Sequence, residues 1–255
     1  MSEVVRRLPF LIPGLLLGAL VATAPSPGWA GSGKCPASAE NLKLGTSLPR
    51  VKAAVRERKK VVIVALGSSS TQGFGATAEA NTYPYQMQIT LARQFQDVRL
   101  NFTIFNKGIG GQDVTEMLER LERDVIARDP DLVIWQAGTN AAIRGMPLDV
   151  FRLKLSTGVD RVKKAGADVV LMTPQYVPAV ISLANEDDYV GTMEAIARET
   201  GVGVFRRFQI MREWVDGEHM SYAQFMIADG LHLNDHGHRC MGKLLAKAIE
   251  LTIRD

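Results

Sequence analysis

Short, β-branched apolar runs alternate with longer helical patterns along most of the chain, and this alternation limits the folds that it can adopt. The first run is apolar nearly throughout and ends in glycine, which is typical of a strand that helices cover on both faces. In the helical patterns, apolar residues recur on one face. Strands are predicted at residues 59–67, 98–106, 131–137, 168–173 and 202–205, and helices at 84–96, 114–128, 150–165, 187–200 and 236–253.

A strand, a helix and a further strand in succession require right-handed crossover connections. The sequence therefore predicts an α/β fold with a doubly wound parallel sheet of about five strands between two layers of helices. Ligands of such sheets bind at the carboxyl ends of the strands. Residues that directly follow each predicted strand are therefore the first candidates for a functional site.

The chain opens with the three-part layout of a secretory signal peptide. Arg6 and Arg7 precede an apolar stretch at residues 10–24, and the small residues Gly28 and Ala30 follow at the positions that a signal peptidase requires. The stretch is shorter than the ~20 residues that span a membrane, which favours cleavage after Ala30 and no stable membrane anchor afterwards. The arginine pair leaves twin-arginine export open, but Pro9 disturbs the spacing of that motif and favours general secretion. The protein is therefore predicted to be periplasmic or secreted by a bacterium.

The sequence predicts three regions. A signal peptide covers residues 1–30, a linker or N-terminal arm covers 31–45, and one domain covers 46–255. A domain of this size has ample material for a buried core. The formal net charge of the chain is only +3, and its Lys and Arg residues are scattered. Such a distribution does not predict a nucleic-acid partner.

Polar, turn-forming residues follow the predicted strands. Residues 67–73 (GSSSTQG) follow the first strand, 106–113 (NKGIGGQD) the second and 138–140 (GTN) the third, while 229–232 (DGLH) precede the last helix. Serine becomes a nucleophile when a histidine takes its proton, and that histidine needs a carboxylate on its other ring nitrogen. Backbone N–H groups of glycine turns and a side-chain amide can stabilise the oxyanion. The four segments together therefore contain the groups that acyl transfer requires.

These four segments resemble the signature of the SGNH hydrolases, also called GDSL esterases and lipases. That signature is Gly-Asp-Ser-(Leu/Ile)-Thr after the first strand, a glycine after the second, Gly-x-Asn-Asp after the third and Asp-x-x-His before the last helix. The resemblance covers about residues 60–253 and implies a flavodoxin-like fold. It implies Ser69, Asp229 and His232 as the catalytic triad, and Ser69, Gly111 and Asn140 as the oxyanion hole.

The resemblance implies a secreted serine esterase that works through an acyl-enzyme without a cofactor. Its substrates would be small-molecule, lipid or glycan esters. This sequence departs from the signature twice: Ser68 stands in place of the aspartate before the nucleophile, and Ala141 in place of the aspartate after Asn140. Neither position belongs to the triad or the oxyanion hole. From the residues alone, Ser68 and Ser70 stay open as nucleophiles beside Ser69, because all three lie in the same turn.

Other functions use the same parts. An O-acetyltransferase or deacetylase of cell-envelope polysaccharide would need the same residues, and a noncatalytic glycan-binding module could keep the same fold. An ordinary α/β-hydrolase shares the order Ser, Asp, His, but its Gly-x-Ser-x-Gly motif is missing here. The glycine-rich turn also lacks the lysine of a phosphate-binding loop.

Three of the four histidines lie within seven residues, at 232–238, around the start of the last predicted helix. His232 and His236 have the i, i+4 spacing of metal ligands, but no partner motif appears elsewhere, and a metal site is not expected. His236 and His238 are predicted to be solvated residues in the first turn of that helix. The chain has two cysteines, Cys35 and Cys240. An even count in an exported chain predicts that they form a disulfide, with a free Cys35 and a buried Cys240 thiol as the alternative.

Overall fold

A computed structural model of the chain describes residues 35–57, 60–183 and 186–254, together with Met1. The chain divides into two compact units, residues 1–33 and 34–255. All of the described structure except Met1 belongs to the second unit. The predicted signal peptide lies outside the described residues, apart from Met1. Within the described ranges, no helix is both long enough and apolar enough to cross a membrane.

Five parallel strands form one sheet in the spatial order β2-β1-β3-β4-β5. The predicted fold class, a doubly wound α/β fold with a parallel sheet of about five strands, is confirmed. The second strand begins later than predicted, because a 3₁₀ turn at Gln96–Val98 ends with Arg99 in the left-handed region. The strands are β1 (Lys60–Gly67), β2 (Asn101–Gly108), β3 (Leu132–Gln136), β4 (Asp168–Met172) and β5 (Gly203–Phe205).

Helices connect the strands. The long ones lie close to their predicted positions, whereas the predicted helix at 114–128 is divided into two short helices and a 3₁₀ turn. The helices are α1 (Pro49–Glu57), α2 (Ser69–Gln72), α3 (Tyr83–Gln94), α4 (Val114–Glu119), α5 (Leu121–Asp124), α6 (Thr139–Ile143), α7 (Leu148–Lys164), α8 (Pro178–Ile181), α9 (Glu186–Thr200), α10 (Arg207–Arg212), α11 (Tyr222–Phe225) and α12 (Asp235–Arg254).

The division of the predicted helix at 114–128 coincides with Arg120. The guanidinium of Arg120 is buried and donates to the carbonyl of Gly67, at the end of β1, and to Oε1 of Gln112. The apolar face that the sequence predicts is still used, since Met117 and Leu121 are both buried. The prediction of one continuous helix was wrong, because the guanidinium of Arg120, in the middle of that segment, is hydrogen-bonded to the end of β1.

Alternate residues of the strands enter two separate cores. In β1, Val61 and Ile63 pack on one side of the sheet, and Val64 and Leu66 pack on the other. The first core is covered mainly by α1, α3, α10 and α12, and the second by α4, α5, α7 and α9. The sheet therefore has a layer of helices on each face, as its nearly uninterrupted apolar strands predict.

The described part of the predicted N-terminal arm packs against the domain. Leu44 is fully buried, and its carbonyl accepts a 2.9 Å hydrogen bond from the N–H of Val204 in β5. The indole of Trp214 donates to the carbonyl of Pro36 at 2.7 Å. Cys35, at the start of the described arm, forms a disulfide with Cys240 in α12, with their Cα atoms 5.1 Å apart.

Candidate active site

Ser69 lies in the turn that follows β1, at the first position of the short helix α2. Gly67 allows this turn to fold tightly. A Cβ atom at Gly67 would overlap Oγ1 of Thr71 and would lie 2.7 Å from Oε1 of Gln136. β1 is a central strand between β2 and β3, so the hydroxyl of Ser69 stands at the carboxyl edge of the sheet where ligands of doubly wound folds bind.

A hydrogen-bonded chain links Ser69 to His232 and Asp229. Oγ of Ser69 is 2.8 Å from Nε2 of His232, and Nδ1 of His232 is 2.6 Å from Oδ2 of Asp229. A carboxylate accepts the proton on Nδ1, which leaves Nε2 of the neutral ring to accept from the serine hydroxyl. The three side chains therefore have the arrangement by which histidine takes a proton from serine.

Asp229 also shapes the turn that carries His232. Its Oδ1 accepts 2.9 Å hydrogen bonds from the backbone N–H groups of Leu231 and His232. Burial alone would raise the pKa of Asp229, but these hydrogen bonds and the one from the imidazole outweigh it and hold the pKa below its ordinary value. The carboxyl group consequently stays ionised beside the imidazole.

Ser68, which replaces the aspartate of the SGNH signature, is held by a glutamine from the neighbouring strand. Oε1 of Gln136, at the end of β3, accepts from the backbone N–H of Ser68 at 2.9 Å and from its hydroxyl at 3.1 Å. The same oxygen accepts from the hydroxyl of Thr71 at 3.1 Å. Gln136 therefore holds the turn that contains Ser69 through three hydrogen bonds. The sequence analysis did not identify this residue.

The expected oxyanion donors lie on the next two loops. The amide of Asn140, in α6, donates to the carbonyl of Gln112 at 2.8 Å, which fixes its orientation toward the turn after β2. The carbonyl of Gly111 in that turn accepts a 2.6 Å hydrogen bond from the guanidinium of Arg144. Arg144 also bonds Asp113 at 2.6 Å, which raises the pKa of the guanidinium. No described residue accepts from the backbone N–H of Gly111.

A buried arginine, Arg207, is linked through Gln175 to the turn that carries His232. Arg207 is fully buried and donates to the carbonyl of Thr173 and, at 2.7 Å, to Oε1 of Gln175. The amide of Gln175 in turn donates to the carbonyl of Leu231 at 3.2 Å. Burial lowers the pKa of Arg207 to about 10. The sequence offered no signal for this connection, since the residues involved lie on three separate segments.

His238 is buried, so the prediction that it is a solvated residue of the last helix was wrong. Its Nδ1 accepts from the backbone N–H of Tyr83 at 3.3 Å, and its Nε2 donates to the carbonyl of Phe74 at 3.1 Å. Burial lowers the pKa of His238, and also that of the half-buried His236. Within the described part of the chain, no group of three or more His, Cys, Asp or Glu residues is placed to hold a metal ion.

The fold and this site together define a class: three-layer α/β proteins that carry hydrogen-bonded Ser, His and Asp side chains at the carboxyl edge of a parallel sheet. Residues 34–255 match the non-GDSL lipase-like family, and the chain belongs to that family.

Relatives of this chain include proteins named as esterases. The chain is 27% identical over 198 residues to an arylesterase of Vibrio mimicus, a match that covers 77% of this chain and 91% of the relative. It is 27% identical over 220 residues to an acetylxylan esterase of Xylanibacter ruminicola, covering 74% of this chain and 43% of that larger protein.

Solved structures show the same fold. A two-domain esterase active on acetylated mannans superposes with a TM-score of 0.70 at 22% identity, covering 85% of this chain and 56% of that one. An acetylxylan esterase from Geobacillus stearothermophilus superposes with a TM-score of 0.63 at 23% identity, covering 74% of this chain and 94% of that one. At these low sequence identities, the structural similarity shows only that the folds are alike.

Proposed function

We propose that this chain is an SGNH-type serine esterase that removes small acyl groups from glycan esters through an acyl-enzyme. The observation that carries the proposal is the hydrogen-bonded chain from Ser69 through His232 to Asp229, with distances of 2.8 and 2.6 Å. Its family membership and its similarity to esterases identify the chain as an ester-hydrolysing enzyme. The roles of individual residues follow from the chemistry of the site.

In the proposed mechanism, Oγ of Ser69 attacks the ester carbonyl while Nε2 of His232 takes the hydroxyl proton. Asp229 stabilises the imidazolium that forms. His232 then gives the proton to the departing alcohol, leaving the acyl group on Ser69. Water, deprotonated by the same imidazole, releases the acyl group and restores the serine.

The negative charge of the tetrahedral intermediate falls on the former carbonyl oxygen. We assign the backbone N–H groups of Ser69 and Gly111 and the amide of Asn140 as its donors. The amide of Asn140 has two N–H groups, and the carbonyl of Gln112 takes one of them. The other is left for the substrate. Because Arg144 anchors Gly111 and Gln112 anchors Asn140, the donors are held in place before the charge develops.

The names of the relatives support an acetylated sugar as the substrate class. Two of them are called acetylxylan esterases, and a protein of similar fold is described as active on acetylated mannans. Aryl esters are a second class, supported by the arylesterase relative. We further propose that residues 1–30 direct export and are removed, since polymeric glycans lie outside the cytoplasm. The remaining arm and domain would then work in the periplasm or outside the cell.

Labelling with a fluorophosphonate tests the assignment of the nucleophile, because this reagent modifies only serines activated by a base. We expect Ser69→Ala to lose both labelling and hydrolysis of nitrophenyl acetate, with kcat reduced by on the order of 10⁶ and the fold unchanged. Ser68→Ala and Ser70→Ala are matched controls from the same turn and should still be labelled. An enzyme that keeps most of its activity as Ser69→Ala, or that loses it in EDTA and regains it with zinc, contradicts the proposal.

Comparing the products separates hydrolysis from acyl transfer. With an acetylated xylooligosaccharide as substrate, a hydrolase releases one free acetate for each ester lost. An O-acetyltransferase would instead move acetyl groups to an added sugar acceptor with little free acetate. A protein that binds the oligosaccharide but neither labels nor cleaves would be a noncatalytic glycan-binding module.

A further inference from the structure

An exposed aromatic ring stands directly against the imidazole of His232. The side chain of Phe74 is 54% exposed, and the centroid of its ring lies 4.4 Å from that of His232, with the two planes inclined by 49°. Two further exposed apolar residues lie on the segments that carry the expected oxyanion donors. Ile109 precedes the Gly111 turn, and Ile143 ends the helix that carries Asn140.

The main chain holds Phe74 in this exposed position. Its backbone N–H donates to the carbonyl of Ser69 at 2.9 Å, and its carbonyl accepts from the buried His238. Gly73 and Gly75 flank it with φ of 106° and 89°, values that residues with a side chain rarely adopt. Two main-chain hydrogen bonds and two flanking glycines therefore hold the backbone of Phe74, while its side chain stays exposed. The loop presents the ring instead of covering it.

The chemistry of ester cleavage identifies which part of a substrate meets this ring. Nε2 of His232 gives its proton to the oxygen of the departing alcohol, so that oxygen must lie within hydrogen-bond reach of Nε2. The alcohol therefore lies beside the imidazole, and Phe74 is an aromatic side chain in contact with that imidazole. The oxyanion donors that we assign, Gly111 and Asn140, bind the carbonyl oxygen and not the alcohol.

We infer that Phe74 determines specificity for the alcohol, by binding the flat face of a ring in the alcohol part of the ester. This inference rests on the proposed serine-esterase function. A phenyl ring offers one flat, weakly polar face, and it packs against another aromatic ring or against the C–H face of a sugar ring. Phe74 has no polar atom of its own in its side chain, so it selects for the shape of the ring rather than for its hydroxyl groups.

Paired esters with one acetyl group and different alcohols test the inference on the full chain with its disulfide. Benzyl acetate and propyl acetate release alcohols of similar acidity, and only the first has a ring. An acetylated methyl xyloside and monoacetylglycerol form the second pair, with and without a sugar ring. We expect Phe74→Ala and Phe74→Leu to lower the ring-to-chain ratio of kcat/KM by roughly 3- to 10-fold in at least one pair, mainly through KM.

Phe74→Tyr should keep the wild-type ratios, because it keeps the ring. Leu153→Ala, which removes an exposed apolar side chain from α7, should change neither ratio. A lowered ratio in the first pair would indicate an aryl alcohol as the preferred class, and a lowered ratio in the second pair a sugar alcohol. If Phe74→Ala lowers kcat equally for all four esters, or leaves both ratios unchanged, Phe74 only shields His232 and the inference is overturned. Failure of the serine mechanism itself would appear differently, as hydrolysis that survives Ser69→Ala.

Discussion

At the scale of single residues, the loops that contain the two departures from the SGNH signature are held by neighbouring side chains. Ser68 is bonded through both its N–H and its hydroxyl to Gln136. Ala141 is fully buried in α6, and Arg144 at the end of the same helix bonds the carbonyl of Gly111. The loops that present the proposed nucleophile and oxyanion donors are therefore supported by neutral amides and by a cation. Neither support requires a carboxylate at position 68 or 141.

The proposed donor role of Asn140 gives a prediction in kinetics. Replacing Asn140 by Ala should lower kcat by about 10²–10³ with little change in KM, because the amide donates mainly to charge that develops in the transition state. Steady-state kinetics with nitrophenyl acetate measure both constants. The unfolding midpoint of the variant serves as the control, since Asn140 also bonds Gln112. An unchanged kcat with a raised KM would mean that Asn140 only holds the bound substrate.

At the scale of elements, the segment between α11 and α12 is built to hold the Asp229–His232 turn. Met226 and Leu233 form an antiparallel bridge, which brings the two ends of the turn together. The side chain of Asn234 accepts from the backbone N–H groups of His236 and Gly237 and so caps α12. The two ends of the turn are therefore held together, and the turn leads directly into α12.

Gly158 controls how closely α7 approaches the sheet. A Cβ atom at Gly158 would overlap the ring of Trp135 in β3 and would lie 2.9 Å from Cδ2 of Leu118. Gly158→Ala should therefore lower the free energy of unfolding by about 1–3 kcal/mol. Gly191→Ala in α9 is the matched control, because its new methyl group meets open space, and it should stabilise by roughly 0.5–1 kcal/mol. Urea unfolding of both variants measures this; equal stabilities would contradict the packing argument.

The burial of His238 predicts a pH-dependent stability. Burial lowers the pKa of His238. The hydrogen bond to the carbonyl of Phe74 and the charge of Asp235 oppose this shift, while Arg207 and His232 act in the same direction as burial. Below about pH 6.5, the ordinary value of a histidine, the unfolded chain therefore binds more protons than the folded chain. Stability from neutral His238 is present above that pH and is lost as the pH falls toward the lowered folded pKa.

Chemical denaturation at several pH values between 7.5 and 5 measures this effect. We expect His238→Gln to reduce the fall in unfolding free energy over that range, because glutamine takes up no proton. His219→Gln, at an exposed position, is the control and should leave the slope as it is in the parent chain. A parent protein whose stability does not change with pH in this range would contradict the prediction.

At the scale of the whole molecule, the disulfide joins the first described residue of the arm to the last helix. Cys35 and Cys240 are separated by 205 positions in the sequence. Cys240 is buried in the core cluster that includes α3 and α12, and Cys35 packs against the same cluster. The crosslink therefore connects the arm to the core that lies beneath the proposed site.

We predict that the exported protein contains this disulfide. Intact mass after alkylation should detect no free thiol without reductant and two after reduction. Because the closed loop is long, the chain-entropy model gives up to about 5 kcal/mol of stabilisation, and Cys35→Ala should lose part of it in urea unfolding. Two alkylatable thiols in unreduced periplasmic protein would refute the pairing.

The sequence by itself determined the architecture, and it also indicated where a site would lie. Uninterrupted apolar runs separated by helical patterns allow little else than a parallel sheet covered on both faces, and the polar turns after β1, β2 and β3 meet at one edge of it. Asp229 and His232 are three residues apart, so their hydrogen bond is a local matter. These features depend on periodicity and on near neighbours, which a sequence displays directly.

Only the tertiary structure decided which distant side chains meet. Gln136 reaches Ser68 across 68 positions. The ring of Phe74 contacts His232 because two glycines and His238 hold its loop in place. His238 is buried because α3 crosses the start of α12 closely, where a Cβ atom at Gly242 would lie 2.7 Å from the carbonyl oxygen of Tyr83. Helical spacing identifies an apolar face, but the partner of that face depends on the packing of both helices. That packing is a property of the assembled fold.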